Sequence, residues 1–281
     1  MSRPLRIEFP GAFFHVTSRG NARKDIFTCD EDRQQFLFLL SKTIKKFNWL
    51  CHSFVLMDNH YHLCIETTDP TFSRGMRHLN GLFTQWHNAQ HHSVGHILQG
   101  RFKAFLIEEE SYLLNVVRYI VLNPVRAGMV SDPAVYQWSS YRALAGLERA
   151  SDWLTLDNIL GRFGKERNEA QHGYRDYVLE GIGLPSPFDE LQARTILGTD
   201  QFVDEQKERL ERQQTVKDIL TLERMAGRPV LQEVFDDLKT IDKRNASIAL
   251  ALNHLLYSGS EVGRYLNLDA STIRKIAKQY K

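Results

Sequence analysis

Apolar and polar positions in the first half of the chain switch between two periods. Phe13 to Ser18 is a short apolar, β-rich run closed by the turn signal Arg19-Gly20-Asn21. Phe36, Leu39, Leu40, Ile44 and Phe47 recur at helical spacing behind Asp30, an N-cap residue, which predicts a helix from 30 to about 47. Trp49 to Leu56 and His60 to Thr67 read as strands, and Met57-Asp58-Asn59 suits a tight turn between them. Phe72 to about Gln90 is helical by period, Phe102 to Ile107 is a strand, and Ser111 caps a helix through about Leu122. The order β-α-β-β-α-β-α predicts an α+β fold, a single antiparallel sheet with helices packed on it.

After Tyr141 the texture changes. Strand patterns vanish, Gly161, Gly164, Gly181-Ile182-Gly183 and Pro185-Ser186-Pro187 punctuate the chain, and helical periods dominate to the end. Phe202 to Leu222 reads as a charged, exposed helix. The pattern divides the chain into a first domain over 1–145, a helical accessory region over 146–235, and a compact helical unit over 236–281. In that last unit, Ser258 to Leu266 followed by Asn267 to Ala277 has the pattern of a helix-turn-helix. Val262, Leu266, Leu268, Ile273 and Ile276 sit at packing positions, while Thr272, Arg274 and Lys275 would face a groove or phosphates. Small helical bundles produce the same pattern without binding DNA.

Composition narrows the class without choosing the function. The 281 residues are 42% hydrophobic and 25% charged, as in globular proteins, and a net charge of +2 points to no partner. Its distribution is more informative: Arg74, Arg77, Arg101, Lys103, Arg118 and Arg126 fall in one stretch of the first half. No apolar run is long enough to span a bilayer, and Met1-Ser2-Arg3-Pro4 lacks a signal-peptide core, so no membrane partner is expected. Cys29, Cys51 and Cys64 are odd in number and lack CxxC spacing, which suits a reducing cytoplasm. His87, His91, His92 and His96 fall on a helix end and a polar loop without cysteine partners, the pattern of a solvated loop.

Two residue sets carry candidate chemistry. On a strand, residues two apart share a face, so His60 and His62 project together while Tyr61, Leu63 and Ile65 face the other way. Two imidazoles so placed can chelate one divalent ion, though an HxH pair alone also describes two ordinary histidines on a half-exposed strand. Cys64 and Glu66 continue that face; a sulfur ligand would make a zinc-like site, an oxygen ligand a magnesium- or manganese-like one. In the segment Arg118 to Gly128, Leu113, Leu114, Val117, Ile120 and Val121 form the core stripe, and Tyr119 and Asn123 share a different face. Pro124 is expected to break or recap the helix.

Met57-Asp58-Asn59-His60-Tyr61-His62-Leu63, Gln99-Gly100-Arg101-Phe102-Lys103 and Arg118 to Gly128 together resemble the HUH-type Y1 transposases of the IS200/IS605 group, most closely the REP-associated tyrosine transposases (RAYTs). Tyr61 departs mildly from the bulky apolar residue of that motif. The resemblance implies that Tyr119 is a nucleophile, that His60, His62 and Asn123 hold Mg2+ or Mn2+, and that Arg101 and Lys103 face DNA from one side of a strand. Arg118 and Arg126 flank the tyrosine as further DNA-binding candidates. It also implies a substrate of single-stranded hairpin DNA, with duplex DNA on the C-terminal unit, for a monomer or a homodimer. Trp86, Phe102 and Phe105 are candidate stacking platforms. Two other classes stand beside this one: a regulator that binds hairpins without cutting them, and a zinc hydrolase on His60, His62 and Cys64.

Overall fold

Alternating side chains in four antiparallel segments make a sheet whose two faces receive different helices. The computed structural model describes residues 7–189, 195–212, 229–236, 240–255 and 257–280. Strands β1 (Ala12–Arg19), β2 (Trp49–Met57), β3 (His60–Thr67), β4 (Lys103–Ile107) and β5 (Ile196–Leu197) lie in the order β2-β3-β1-β4-β5. Helix α1 (Asp30–Phe47) follows β1, α2 (Phe72–Gln90) follows β3 and α3 (Glu109–Arg126) follows β4, so the expected α+β order is present. The sheet is not wholly antiparallel. The two-residue β5 runs parallel to β4, extended by Leu106 N–H to Thr195 O and Glu108 N–H to Leu197 O. A strand of two residues has no period to read, which is why the sequence shows none beyond Tyr141.

Register assigns the faces. Phe14, Val16, Tyr61, Leu63 and Ile65 point toward α1 and α2, where Phe14 stacks on Phe72 and Tyr61 packs on Phe36. Tyr61 is fully buried and its hydroxyl donates to Asn80 Oδ1 of α2, so a polar ring fits the middle of the histidine pair. Phe13, His15, His62, Cys64, Phe105 and Ile107 point the other way, toward α3. That helix buries Leu113, Val116, Val117, Ile120 and Val121, each worth roughly 1.5–3 kcal/mol when removed from water.

Helix ends depart from expectation by a residue or more. Cys29, not Asp30, is the N-cap of α1, in a capping box with Asp32. Helix α3 starts at Glu109 rather than near Ser111, with Glu108 as its N-cap residue, whose carboxylate accepts from the Thr199 N–H and hydroxyl. It also continues through Pro124.

Close approach accounts for one glycine. A Cβ on Gly75 in α2 would lie 2.1 Å from Cζ2 of Trp49, whose indole N–H is fixed on Thr71 Oγ1. Gly75→Ala should therefore destabilise the chain by about 1–3 kcal/mol through overpacking, although alanine normally strengthens a helix. Urea unfolding followed by tryptophan fluorescence checks this, and a raised midpoint would refute it.

Contacts divide the chain into two units, Met1–Lys207 and Glu208–Lys281, so the boundary expected at 145 falls inside the first unit. The reason is packing. Ala170, Tyr174 and Val178 of α6 (Arg167–Leu179) join the α3 core, after the four-residue helices α4 (Tyr141–Leu144) and α5 (Asp157–Leu160). The edge of β2 is covered by bridges Val55–Ser139 and Cys51–Leu154. Helix α7 spans 200–212; the rest of the expected helix to Leu222 lies outside the described residues.

The second unit contains α8 (Leu231–Val234), α9 (Ile241–Asn253), α10 (Gly259–Leu266) and α11 (Ala270–Gln279). Phe235, Ile248, Ala251, Val262, Ile273 and Ala277 form its core. Ser258 and Glu261 make a capping box for α10, Asn267 ends it in the left-handed region, and Asp269 caps α11. Thr272, Arg274 and Lys275 are all exposed on α11. Among the described residues, no helix is long and apolar enough to cross a membrane.

Candidate active site

The hairpin that carries the histidines is held from outside. Asp58 and Asn59 form its two-residue loop; Asp58 O accepts from Ile26 N–H and Phe27 N–H, and Arg33 donates to the Asp58 carboxylate. Asn59 O accepts from Gly20 N–H. The Asn59 side-chain oxygen lies 2.6 Å from His60 Nδ1, which makes Nδ1 the protonated nitrogen and leaves the Nε2 lone pair open. His60 and His62 share the face, with ring centroids 5.0 Å apart.

His62 has a partner that periodicity within β3 does not reveal. Its Nδ1 lies 2.8 Å from Nε2 of His15 on β1, and the two rings stack at 4°. Burial pushes His15 down to about 3, so it is neutral, and its Nε2 can accept a hydrogen bond from His62 Nδ1–H. In that tautomer His62 Nε2 also carries its lone pair outward. Burial drives His62 well below its ordinary value, reinforced by His15, His60 and Arg19, and burial with Arg19 lowers His60 to about 4. All three imidazoles are therefore neutral at pH 7, the form that binds a metal.

Tyr119 stands over this group. Its ring lies edge-on to His62 at 5.8 Å and to His15 at 5.9 Å. The guanidinium of Arg126 sits 5.4 Å from its ring centroid. Burial raises the tyrosine hydroxyl, while Arg126, Ser186 and Arg19 oppose the shift. Arg118, which precedes the tyrosine in the chain, stacks its guanidinium on Tyr177 at 4.2 Å and donates to Tyr177 O and Asn115 Oδ1. Arg118 ties α3 to α6; Arg126 and Arg19 are the cations that act on Tyr119.

The proline expected to break α3 instead orients Asn123. Pro124 has no N–H for the Ile120 carbonyl. Asn123 Nδ2 donates to Ile120 O at 3.3 Å and to Tyr119 O at 2.8 Å, so the freed carbonyl is satisfied and Oδ1 is the atom left for a ligand. Two imidazole Nε2 atoms and one amide oxygen make a donor set suited to a divalent cation. The zinc alternative loses its third ligand. Cys64 is fully buried in the α3 core, and Glu66 pairs with His52 at 2.9 Å.

The family model for IS200-like transposases matches residues 10–123, a span that contains His15, Arg19, His60, His62, Tyr119 and Asn123. Over those residues the chain is similar to IS200-like transposases. A solved REP-associated tyrosine transposase bound to a REP hairpin is 24% identical to this chain, over 55% of it and 94% of its own length, with a TM-score of 0.45. No curated protein matches significantly.

Around these histidines, Lys103 stands opposite Thr17, which stands opposite His62, and it is exposed. Arg101 is exposed too, but it precedes β4 and does not share a strand face with Lys103. Phe105 stacks on His15, whereas Phe102 packs on Phe72 and Trp86 on Phe83, both apart from the tyrosine. Phe188 packs on His15, Phe105 and Tyr119 with centroids at 4.5, 5.0 and 5.1 Å. A cleft of about 330 Å³ beside the tyrosine is lined by Tyr112, Arg118, Tyr119, Arg126 and the 184–187 segment. His15, Arg19 and Phe188 are the residues that sequence reasoning missed. The first two had a signal, the period-2 spacing His15-x-Thr17-x-Arg19; Phe188 had none.

Proposed function

We propose that the first unit cuts and rejoins single-stranded hairpin DNA, with Tyr119 as nucleophile. The edge-on placement of Tyr119 against the His60–His62 pair, inside the span similar to IS200-like transposases, carries this reading. The tyrosine oxygen forms a bond to phosphorus as the P–O3′ bond breaks, giving a 5′-phosphotyrosine and a free 3′-hydroxyl that takes up the proton. Transesterification conserves the bond energy for rejoining, so neither ATP nor water is needed. His60 Nε2, His62 Nε2 and Asn123 Oδ1 would hold Mg2+ or Mn2+, which when bound supplies Lewis acidity at the scissile phosphate. Arg126 and Arg19 favour the tyrosinate, and Lys103, Arg101 and Arg126 neutralise the DNA backbone. The hairpin form of the substrate rests on the motif resemblance.

In the second unit, α10 and α11 are read as a helix-turn-helix that offers Thr272, Arg274 and Lys275 to duplex DNA. The cytoplasm, where DNA is accessible and the three thiols stay reduced, is the compartment this activity implies.

The test is a covalent adduct between the protein and end-labelled hairpin DNA, formed with Mn2+ and resolved on a denaturing gel. An adduct abolished by EDTA supports the proposal. Binding without an adduct over several hairpins and both metals supports the regulator, the reading favoured by Phe188 lying against Tyr119.

His15 is assigned a positioning role toward His62. His15→Ala should weaken Mn2+ activation by about 10–100-fold, as removal of the outer hydrogen-bond partner of a metal-binding histidine does. The loss should appear in the Mn2+ concentration needed for half-maximal activity; an unchanged value would remove His15 from the site.

A further inference from the structure

The second candidate metal site lies on the opposite side of the sheet, where the start of α1 meets the end of α2. The sulfur of Cys29, a carboxylate oxygen of Asp32 and a ring nitrogen of His91 all lie within 4.8 Å of one another. Asp32 is fully buried. Its Oδ2 accepts from Thr28 N–H, the Thr28 hydroxyl and Cys29 N–H, and its Oδ1 lies 2.7 Å from His91 Nε2. The sequence pattern left these histidines without a cysteine partner, and the fold supplies one from a segment about sixty residues earlier in the chain.

Two further observations separate this cluster from an ordinary capped helix. His87, one turn before His91 on α2, is only 8% exposed, yet neither of its ring nitrogens has a hydrogen-bond partner. Its ring centroid is 4.3 Å from that of His91. A buried imidazole is normally paired through at least one nitrogen, so His87 is a donor in want of an acceptor or a ligand in want of an ion. The second observation is the cap itself. Helix N-caps favour hydroxyl, amide or carboxylate side chains, and a thiol is a weak substitute.

We infer that Cys29, Asp32 and His91, with the unpaired His87 packed against His91, bind a zinc-type ion that pins the N-terminus of α1 to the C-terminus of α2. The donor chemistry sets the metal. Thiolate and imidazole together select zinc over magnesium, and a site that ties two helix ends together far from the tyrosine is structural rather than catalytic. On binding, the Cys29 thiol releases its proton to solvent, His91 gives up its Nε2 proton to solvent and carries one on Nδ1 instead, and the Asp32–His91 hydrogen bond gives way to two bonds to the ion. The inference is independent of the DNA chemistry proposed above.

Cobalt provides the test. The full-length protein, stripped with a chelator, is titrated with Co2+ and its near-ultraviolet absorption recorded. The His60–His62 site contributes no sulfur, so a thiolate-to-cobalt charge-transfer band reports a cysteine site alone. The band should appear in the parent, vanish in Cys29→Ser and be bleached by Zn2+. Cys29→Ser keeps a capping side chain and therefore keeps the fold. Zn2+ should also raise the thermal midpoint of the parent more than that of Cys29→Ser. Absence of the band, or a band that survives in Cys29→Ser, overturns the site and leaves a capped helix with an ion pair.

Discussion

Tyr119→Phe abolishes the covalent DNA adduct and leaves hairpin affinity and the unfolding midpoint close to those of the parent. The substitution removes one hydroxyl and retains the ring, so contacts with His15, His62, Phe188 and the Arg126 guanidinium survive. With the nucleophile gone, cleavage should fall by more than about a thousandfold, the order seen when a catalytic nucleophile is deleted. Ring-mediated binding has no reason to change. Tyr112 lines the same cleft, so it is the natural substitute nucleophile. An adduct of undiminished yield in Tyr119→Phe would assign the chemistry elsewhere and sink the proposal. Loss of both adduct and binding would mean that the hydroxyl positions DNA rather than attacking it.

Stability should fall steeply as the solution is acidified from pH 6.5 toward pH 4.5. His15 is held at about 3, His60 at about 4 and His62 well below its ordinary value, each chiefly by burial. In the unfolded chain all three take up protons below about pH 6.5. The folded state resists protonation until the pH nears the lowered values, so the unfolded state binds more protons throughout this window. Folding free energy is therefore fully present above pH 6.5 and is lost as the pH drops through it. Each such histidine contributes about 1.4 kcal/mol per pH unit, so three give a slope of about 4 kcal/mol per unit near pH 5. That is a large share of the roughly 5–15 kcal/mol by which a folded domain is stable. Urea unfolding in EDTA across this range measures it, and His15→Gln should reduce the slope by about one proton. A flat profile would show that the histidine cluster is hydrated or already protonated, contrary to its burial.

Periodicity alone identified much of this protein. Two residues apart on a strand means one face, so His60 and His62 were placed together and Tyr61 opposite them, as the register shows. The α3 stripe was legible because five apolar residues recur at helical spacing. The exposed face of α11 followed from its pattern as well.

Only the tertiary structure decided which groups complete each site. His15 reaches His62 because β1 lies beside β3, a pairing across 47 residues that no local period encodes. Arg118 precedes the tyrosine in the chain, but what its guanidinium stacks on is Tyr177 of α6. Pro124 reads locally as a helix break, yet the Asn123 side chain bonds the carbonyl that proline leaves free. Cys29 and His91 are far apart in sequence and meet because α1 and α2 pack on one sheet face. Sequence patterns determine which way a side chain points from its own element, since that depends on backbone geometry within a few residues. What it meets there depends on long-range packing, which the fold as a whole settles.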